Sequence, residues 1–340
     1  MEGGKRLSEI LEYKRVPLVK RVEYITDLLD TVKTGYSKEA GGAKLAERKR
    51  SFEVEKARAL GRGNPFRARL MKATRLVEFC EMMCRQTGLV DSSTGTYRLT
   101  EKGEVLLSMS SGGNETDALL LDSLLRTYPS FQQMIGAIND TEGGEAILPS
   151  TKLRNLYSEY ANRSGITVDM WTFDIVRDLA SQLGVLNWFP DSTSGQRMQR
   201  VYMASKIRYE NASSTDSGFP LHTMIGGRAS VIDRNIPDFT LFKNKVWDEY
   251  LIITNYVPRR PVFYSNLRTK VCYGLRIADK VFDQLAGKLM EKDEKYLLLA
   301  AGGSLPYSRD SAGLLKSLPP KTPRGQYMVY LKMDMRNAHD

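Results

Sequence analysis

Histidine is nearly missing from this 340-residue chain, with only His222 and His339 present. Two histidines so far apart exclude histidine–metal nuclease centres, phospholipase-type nuclease sites and a Ser-His-Asp triad, each of which needs an imidazole beside other catalytic groups. Cysteine is scarce as well, at three residues, and an odd number supplies no disulfide framework. Cys80 and Cys84 stand four apart on one face of a helical pattern; they read as small core thiols, because a metal site needs more ligands than they offer. Long apolar runs are absent: the best stretch, "ALLLDSLL" from Ala118, is short and broken by Asp122, so no membrane partner is expected. The N-terminus shows neither an apolar signal core nor a small-residue cleavage site, and the expected location is cytoplasmic, associated with the nucleoid.

What is there is an ordinary globular composition, 41% hydrophobic and 26% charged, enough to build a core, as one large domain or as two or three small ones. The net charge is +10, which calls for an acidic partner. Its distribution says more than its size. Between Lys44 and Arg75 there are eleven Lys or Arg against three Glu, a net +8, which leaves only +2 for the rest of the chain.

That basic run surrounds "ALGRGNPFRARLMKATRL", residues 59 to 76. Gly61-Arg62-Gly63 imitates the start of a phosphate-binding loop, but the sixth position is Phe66 where a small residue is required, no buried strand precedes it, and no Walker-type lysine follows. The other reading is a turn between helices: Gly61 ends one, Asn64 caps the next, and Pro65 occupies its first turn, where a missing N–H costs nothing. The helix so started carries Leu70, Ala73, Val77, Cys80 and Cys84 inward. Arg67, Arg69, Lys72 and Arg75 crowd its N-terminal half, the part that enters the major groove in helix-turn-helix proteins. Arginine can pair bidentately with guanine and asparagine with adenine, whereas lysine mostly meets phosphates. The candidate DNA contacts here are Arg48, Lys49, Arg50, Arg62, Asn64, Arg67, Arg69, Lys72 and Arg75. The plain alternative is a solvated basic face.

Three stretches repeat one pattern of amphipathic helix, short apolar exit, polar turn and apolar strand: Ala73–Thr100, Thr172–Ala204 and Ile277–Ala300. Gly88-Leu89-Val90 and Gly184-Val185-Leu186 end the first two helices alike, with glycine as a left-handed stop; the third has Lys288-Leu289-Met290 instead. Room for two further helices lies upstream of each. The expected fold is therefore mainly α with small β-hairpins, arranged as three tandem winged-helix (helix-turn-helix) modules. Module one spans residues 1–112 and module two 113–205. A polar linker at 206–238, including "NASSTDSGFP", leads to module three at 239–340, which carries a long wing over Ala301–Gln326. In module two, Arg154, Arg163 and Arg177 are candidate helix contacts, and Gln196, Arg197, Gln199 and Arg200 line a hairpin tip. Trp171 and Phe173 are expected in the core. In module three, Arg268, Lys270, Arg276 and Lys280 border a turn placed at Gly274.

Residues 96 to 131, "TYRLTEKGEVLLSMSSGGNETDALLLDSLLRTYPSF", resemble the junction between the first two recognition modules of type IIS restriction endonucleases of the FokI class. A strand, Leu99-Thr100, leads through a T-x-x-G helix start at Gly103 to a helix ending in Tyr128-Pro129, and "QLGVLNWF" is similar to a second-module exit. The specific likeness covers roughly residues 70 to 190. It implies a clamp that reads double-stranded DNA, with the third module used for docking a nuclease or effector protein. The metal-dependent nuclease domain of that family has no counterpart before Asp340; the nearest carboxylate–x–lysine form, Asp293-x-Lys295, falls in a hairpin turn. The expectation is a sequence-specific recognition subunit in restriction or antiviral defence, with no catalytic residues, metal or cofactor of its own. Alternatives are a winged-helix transcription regulator or replication initiator, and a restriction endonuclease whose catalytic site is unrecognised.

Overall fold

A computed structural model describes residues 19, 21–59, 73–109, 114–141, 144, 146–163, 165–166, 168–191, 198–209, 222–225, 228–257, 260–292, 296–299 and 330–333. The fold is mainly helical with small antiparallel sheets, as the periodicity predicts. In unit one, helices α1 (Val22–Gly35), α2 (Lys38–Ala59) and α3 (Ala73–Gln86) precede a two-stranded hairpin, β1 (Val90–Asp91) with β2 (Arg98–Leu99). The expected inward set of α3 is buried at Val77, Cys80 and Cys84, and Ile25, Leu29 and Val32 form a buried stripe on α1. The start proposed for the third helix at Asn64-Pro65, and Leu70 with it, lie outside the described residues.

A short helix, α4 (Glu101–Ser108), joins unit one to α5 (Asn114–Thr127). Its beginning explains the T-x-x-G signature locally. Thr100 Oγ1 accepts from the Gly103 amide at 3.1 Å and donates to the Gly88 carbonyl at 2.8 Å, a side-chain N-cap. A Cβ on Gly103 would overlap the Leu89 carbonyl oxygen, so only glycine lets α4 lie this close to the exit of α3.

Unit two runs α6 (Pro129–Asn139), β3 (Leu148–Pro149), α7 (Ser150–Arg163), α8 (Met170–Gln182), β4 (Leu186–Asp191) and β5 (Met198–Met203). Unit three repeats that order as α9 (Phe239–Thr254), β9 (Val262–Phe263), α10 (Tyr264–Leu275), α11 (Asp279–Lys292), β10 (Tyr296–Leu299) and β11 (Tyr330–Met333). Each unit closes a three-stranded sheet in which the last strand lies between the other two, β3-β5-β4 and β9-β11-β10. Register agrees as well: Leu148 faces Val201 in one sheet and Val262 faces Leu331 in the other. Phe173 and Phe282 occupy corresponding helix positions, are both buried, and pack against Tyr157 and Tyr264. Phe173 thus packs in the core as expected; the side chain of Trp171 is outside the described residues.

Three boundaries differ from the sequence reading. The stretch read as a linker contains strands β6 (Ser205–Tyr209), β7 (His222–Ile225) and β8 (Arg228–Arg234), which form their own sheet in the order β6-β8-β7. Its most polar part, Asn211–Gly218, is outside the described residues. The turn placed at Gly274 lies further on: α10 continues to Leu275, and Gly274 instead leaves the space that the Lys245 side chain crosses. Lys288-Leu289-Met290 does not end a helix, because α11 continues to Lys292.

The apolar residues gather into two bodies. One core joins units one and two without interruption from Val19 to Ile232, passing through Leu120, Leu121 and Leu124 of α5. The other belongs to unit three, but it recruits Tyr202 and Ala204 from the end of unit two.

Candidate nucleic-acid interface

The basic run begins on α2, and several cations of that helix are already engaged. Lys38 bonds Glu78 at 3.1 Å, and Lys44 pairs with Asp30. Arg48 forks onto Asp27, at 2.7 Å to Oδ2 and 2.9 Å to Oδ1. These contacts tie α2 to α1 and α3 and hold it in one orientation. Lys49, half-buried, and Arg50, exposed, have no partner among the described residues. Arg62, Asn64, Arg67, Arg69 and Lys72 lie outside the described residues. Arg75 is on α3, but nothing of its side chain is described.

Cys80 and Cys84 are inert core thiols; burial pushes both above the ordinary thiol range, Cys84 to about 12. Glu81, two-thirds of the way along α3, is buried and accepts from the Tyr36 hydroxyl. Burial and that bond together hold the hydroxyl protonated far above the usual tyrosine range.

In unit two the candidate contacts separate. Arg154 is half-buried on α7, and Arg163 is exposed at the end of that helix with its guanidinium 5.1 Å from the Tyr160 ring centroid. Gly165, at φ +70°, turns the chain after Arg163, and Ile166 N bonds Ala161 O at 2.9 Å, closing the helix with a left-handed stop. Arg177, in contrast, is directed inward. Its side chain is 4% exposed, bonded to Asp178 at 2.8 Å and Asp174 at 3.1 Å, and stacked 4.5 Å above the Trp188 ring. It also donates to Gln199 Oε1.

Arg177 therefore holds α8 against β4 and β5 and leaves the set of candidate contacts, taking Gln199 with it. The physical reason is helical phase: position 177 falls on the same buried face as Phe173, Val176 and Ala180. Among the described side chains of its first half, α8 leaves Asp174 and Ile175 half-buried. Arg200 is half-buried on β5, between Phe189 and Pro149. Gln196 and Arg197 lie outside the described residues.

Arg268, read as bordering a turn, is 2% exposed within unit three. It binds Asp283 at 3.1 Å and lies 3.8 Å from Asp279. Lys280 bonds Asp117 on α5, and Arg276 stacks on Tyr202 with its guanidinium 5.5 Å from the ring centroid. No sequence signal marked Asp117, Asn187, Tyr202 or Asn235 as interface residues, because their partners are 40 to 163 residues away.

Among the described residues no group of three His, Cys, Asp or Glu side chains is placed to hold a metal ion, and Asp293-x-Lys295 falls outside them. No helix among the described residues is long and apolar enough to cross a membrane. Comparison of the chain with protein-family models, with curated proteins and with solved structures found no match.

Proposed function

We propose that this chain is a sequence-specific double-stranded DNA-binding protein built of three winged-helix units, and that it serves as the recognition subunit for a separate nuclease or effector in restriction or antiviral defence. One observation carries the reading. Units two and three share the order helix, strand, helix, helix, strand, strand, with the last strand inserted between the other two, which is the arrangement of a winged helix. Unit one has three helices and a hairpin in the same sequence; it supplies the charge the other two lack. The likeness of residues 96 to 131 to FokI-class enzymes agrees with DNA recognition. Its T-x-x-G element is equally accounted for by the Thr100 cap and the Gly103 contact.

Base reading on this view belongs to the segment around Arg67 and Arg69, and phosphate holding to Lys49 and Arg50. Selection of bound duplexes from a random pool, followed by a salt titration on the best one, tests it. Neutralising on the order of six phosphates gives a log–log salt slope of about −5. Arg67→Ala and Arg69→Ala each cost about 1–3 kcal/mol on the matched site and relax preference at particular base pairs. A slope near zero, or a pool with no enriched motif, overturns the reading.

A further inference from the structure

The turn between α10 and α11 is the counterpart in unit three of the α7–α8 turn in unit two, yet its carbonyls at Leu275, Arg276 and Ile277 are taken. Asn235 Nδ2, just past β8, donates to the carbonyls of Leu275 at 2.7 Å and Arg276 at 3.2 Å. Asn187 Nδ2, on β4, donates to Ile277 O at 3.0 Å and to Asp279 Oδ1 at 3.0 Å. The Tyr202 hydroxyl, on β5, donates to the same Ile277 oxygen at 3.0 Å. One turn later Lys280 reaches Asp117, which is 4% exposed and has Arg234 3.9 Å away.

Packing follows the hydrogen bonds. Phe189 and Tyr202 on the outer face of the unit-two sheet meet Tyr273 of α10, with centroids 5.2 and 6.3 Å apart. Gly184, the stop of α8, leaves a space where Ala278 and Arg234 approach. Ile277 and Ala278 are fully buried as a result.

We infer that the helix-turn-helix element of unit three is a docking element within the chain: Asn187 and Tyr202 staple it to the sheet of unit two, Asn235 to the end of β8 and the Asp117–Lys280 pair to α5, so that these elements move as one body and the first turn of α11 is withheld from DNA. The inference rests on the proposed DNA-binding reading only for its last clause. Buried amide and hydroxyl donors meeting carbonyls at the end of a helix fix the contact in one geometry, since losing one donor while the contact stays closed leaves a buried carbonyl unpaired. Of the groups engaged, the Lys280 ammonium is the one a phosphate could otherwise meet, and Asp117 takes it; the Leu275, Arg276 and Ile277 carbonyls and the Asp279 carboxylate are acceptors, which a phosphate backbone does not bind. Unit two, with Arg163 and Gly165 exposed at its own turn, keeps that option.

Two measurements on the full chain decide the two clauses. The first is amide hydrogen exchange across residues 273–283 in Lys280→Glu, Asp117→Lys and the double exchange of charges. Each single variant quickens exchange there by about tenfold, the factor expected for loss of a buried charged hydrogen bond, and the double variant recovers most of it. Asn235→Ala quickens the same amides without reversing a charge. Independent effects in the charge swap together with no response to Asn235→Ala overturn the staple.

The second is photocrosslinking to a selected duplex from a reactive group on Gln284→Cys of α11 and on Lys49→Cys of α2. Crosslinks from 49 and none from 284 support the withheld turn, and crosslinks from 284 overturn it. Crosslinks from neither position overturn the DNA-binding reading itself, and with it the withheld turn. The exchange data still decide the staple.

Discussion

Units two and three are built to one plan and used differently. Each ends its second helix with a left-handed residue followed by isoleucine, Gly165-Ile166 in one and Arg276-Ile277 in the other, with the isoleucine amide bonded five residues back at 2.9 and 3.0 Å. In unit two the residues around that turn, Asn162, Arg163, Gly165 and Asp169, are exposed. In unit three the same turn is buried against the preceding sheet, and its carbonyls are satisfied by Asn187, Tyr202 and Asn235. Both units also bury an arginine between two aspartates, but from different helices: Arg177 on α8 and Arg268 on α10. Topology is therefore shared while the surface each unit leaves open is not. A repeated fold does not imply a repeated function.

The arginines separate the units most sharply. Arg268→Ala leaves the Asp279 and Asp283 carboxylates without their buried counter-charge and costs unit three about 3–5 kcal/mol. Arg177→Ala costs less, about 1–3 kcal/mol, because Asp174 is 44% exposed and can turn to water. Chemical denaturation monitored separately in each unit checks the order; equal losses would mean that the two sites are equivalent after all.

The turns come next. Gly165→Ala forces a Cβ into the left-handed region and destabilises by about 1–2 kcal/mol. Arg276→Gly removes that strain but also the stacking on Tyr202 and Tyr273, each worth about 0.5–1 kcal/mol. The net change stays within about 1 kcal/mol of zero. Thermal melting of both variants distinguishes a turn that needs glycine from one whose arginine is held by its neighbours.

On the DNA-binding reading, Lys49→Ala and Arg50→Ala each reduce the salt slope by about 1 and weaken all duplexes alike. The corresponding change at exposed Lys288 of α11 leaves both quantities unaltered. Binding titrations at several salt concentrations, on matched and mismatched sites, measure this. A slope that responds to Lys288 would erase the distinction between the units.

The smallest effect concerns helix starts. Asp238 accepts from the amides of Thr240 and Leu241 at 2.8 and 3.3 Å, and those bonds hold its carboxyl below the ordinary 3.8. Its stabilisation of α9 is complete above that ordinary value and is lost as pH falls through the lower folded-state value. Helix α6 begins with Pro129 and no side-chain cap, so acid leaves its first turn unchanged. Amide chemical shifts followed through an acid titration should move at Thr240 and Leu241 and not at Ser130 or Phe131. Asp238→Asn keeps the cap and removes the acid response.

Local physics made most of the helices legible. Apolar residues at helical spacing located the helices that open the three repeated stretches, α3, α8 and α11, and Gly88 and Gly184 marked two helix ends. The β6-β8-β7 sheet was missed because its flanks are short and the polar stretch between them reads as a linker. Arg177 and Arg268 read as surface cations because charge alone does not reveal helical phase: Arg177 pairs with Asp174 and Asp178 of its own helix on the face that packs on Trp188, and the aspartates of Arg268 lie on another helix and become partners only when α10 and α11 pack. The basic run from Lys44 to Arg75 was visible at once, yet the pairing of Lys44 and Arg48 with Asp30 and Asp27 was not, since those carboxylates sit on another helix.

The amino-acid sequence by itself determined where helices form and stop, that three similar helix-and-strand stretches follow one another, and that the positive charge lies in the first. Those properties depend on neighbours within a few residues, through side-chain periodicity, capping and glycine's access to positive φ. Only the tertiary structure decided which cations are spent on internal pairs and which turn is covered. The Asn187–Ile277 bond spans 90 residues and the Asp117–Lys280 pair spans 163. Such contacts form only after separate units have folded and met, and nothing in the local pattern of either segment encodes the other.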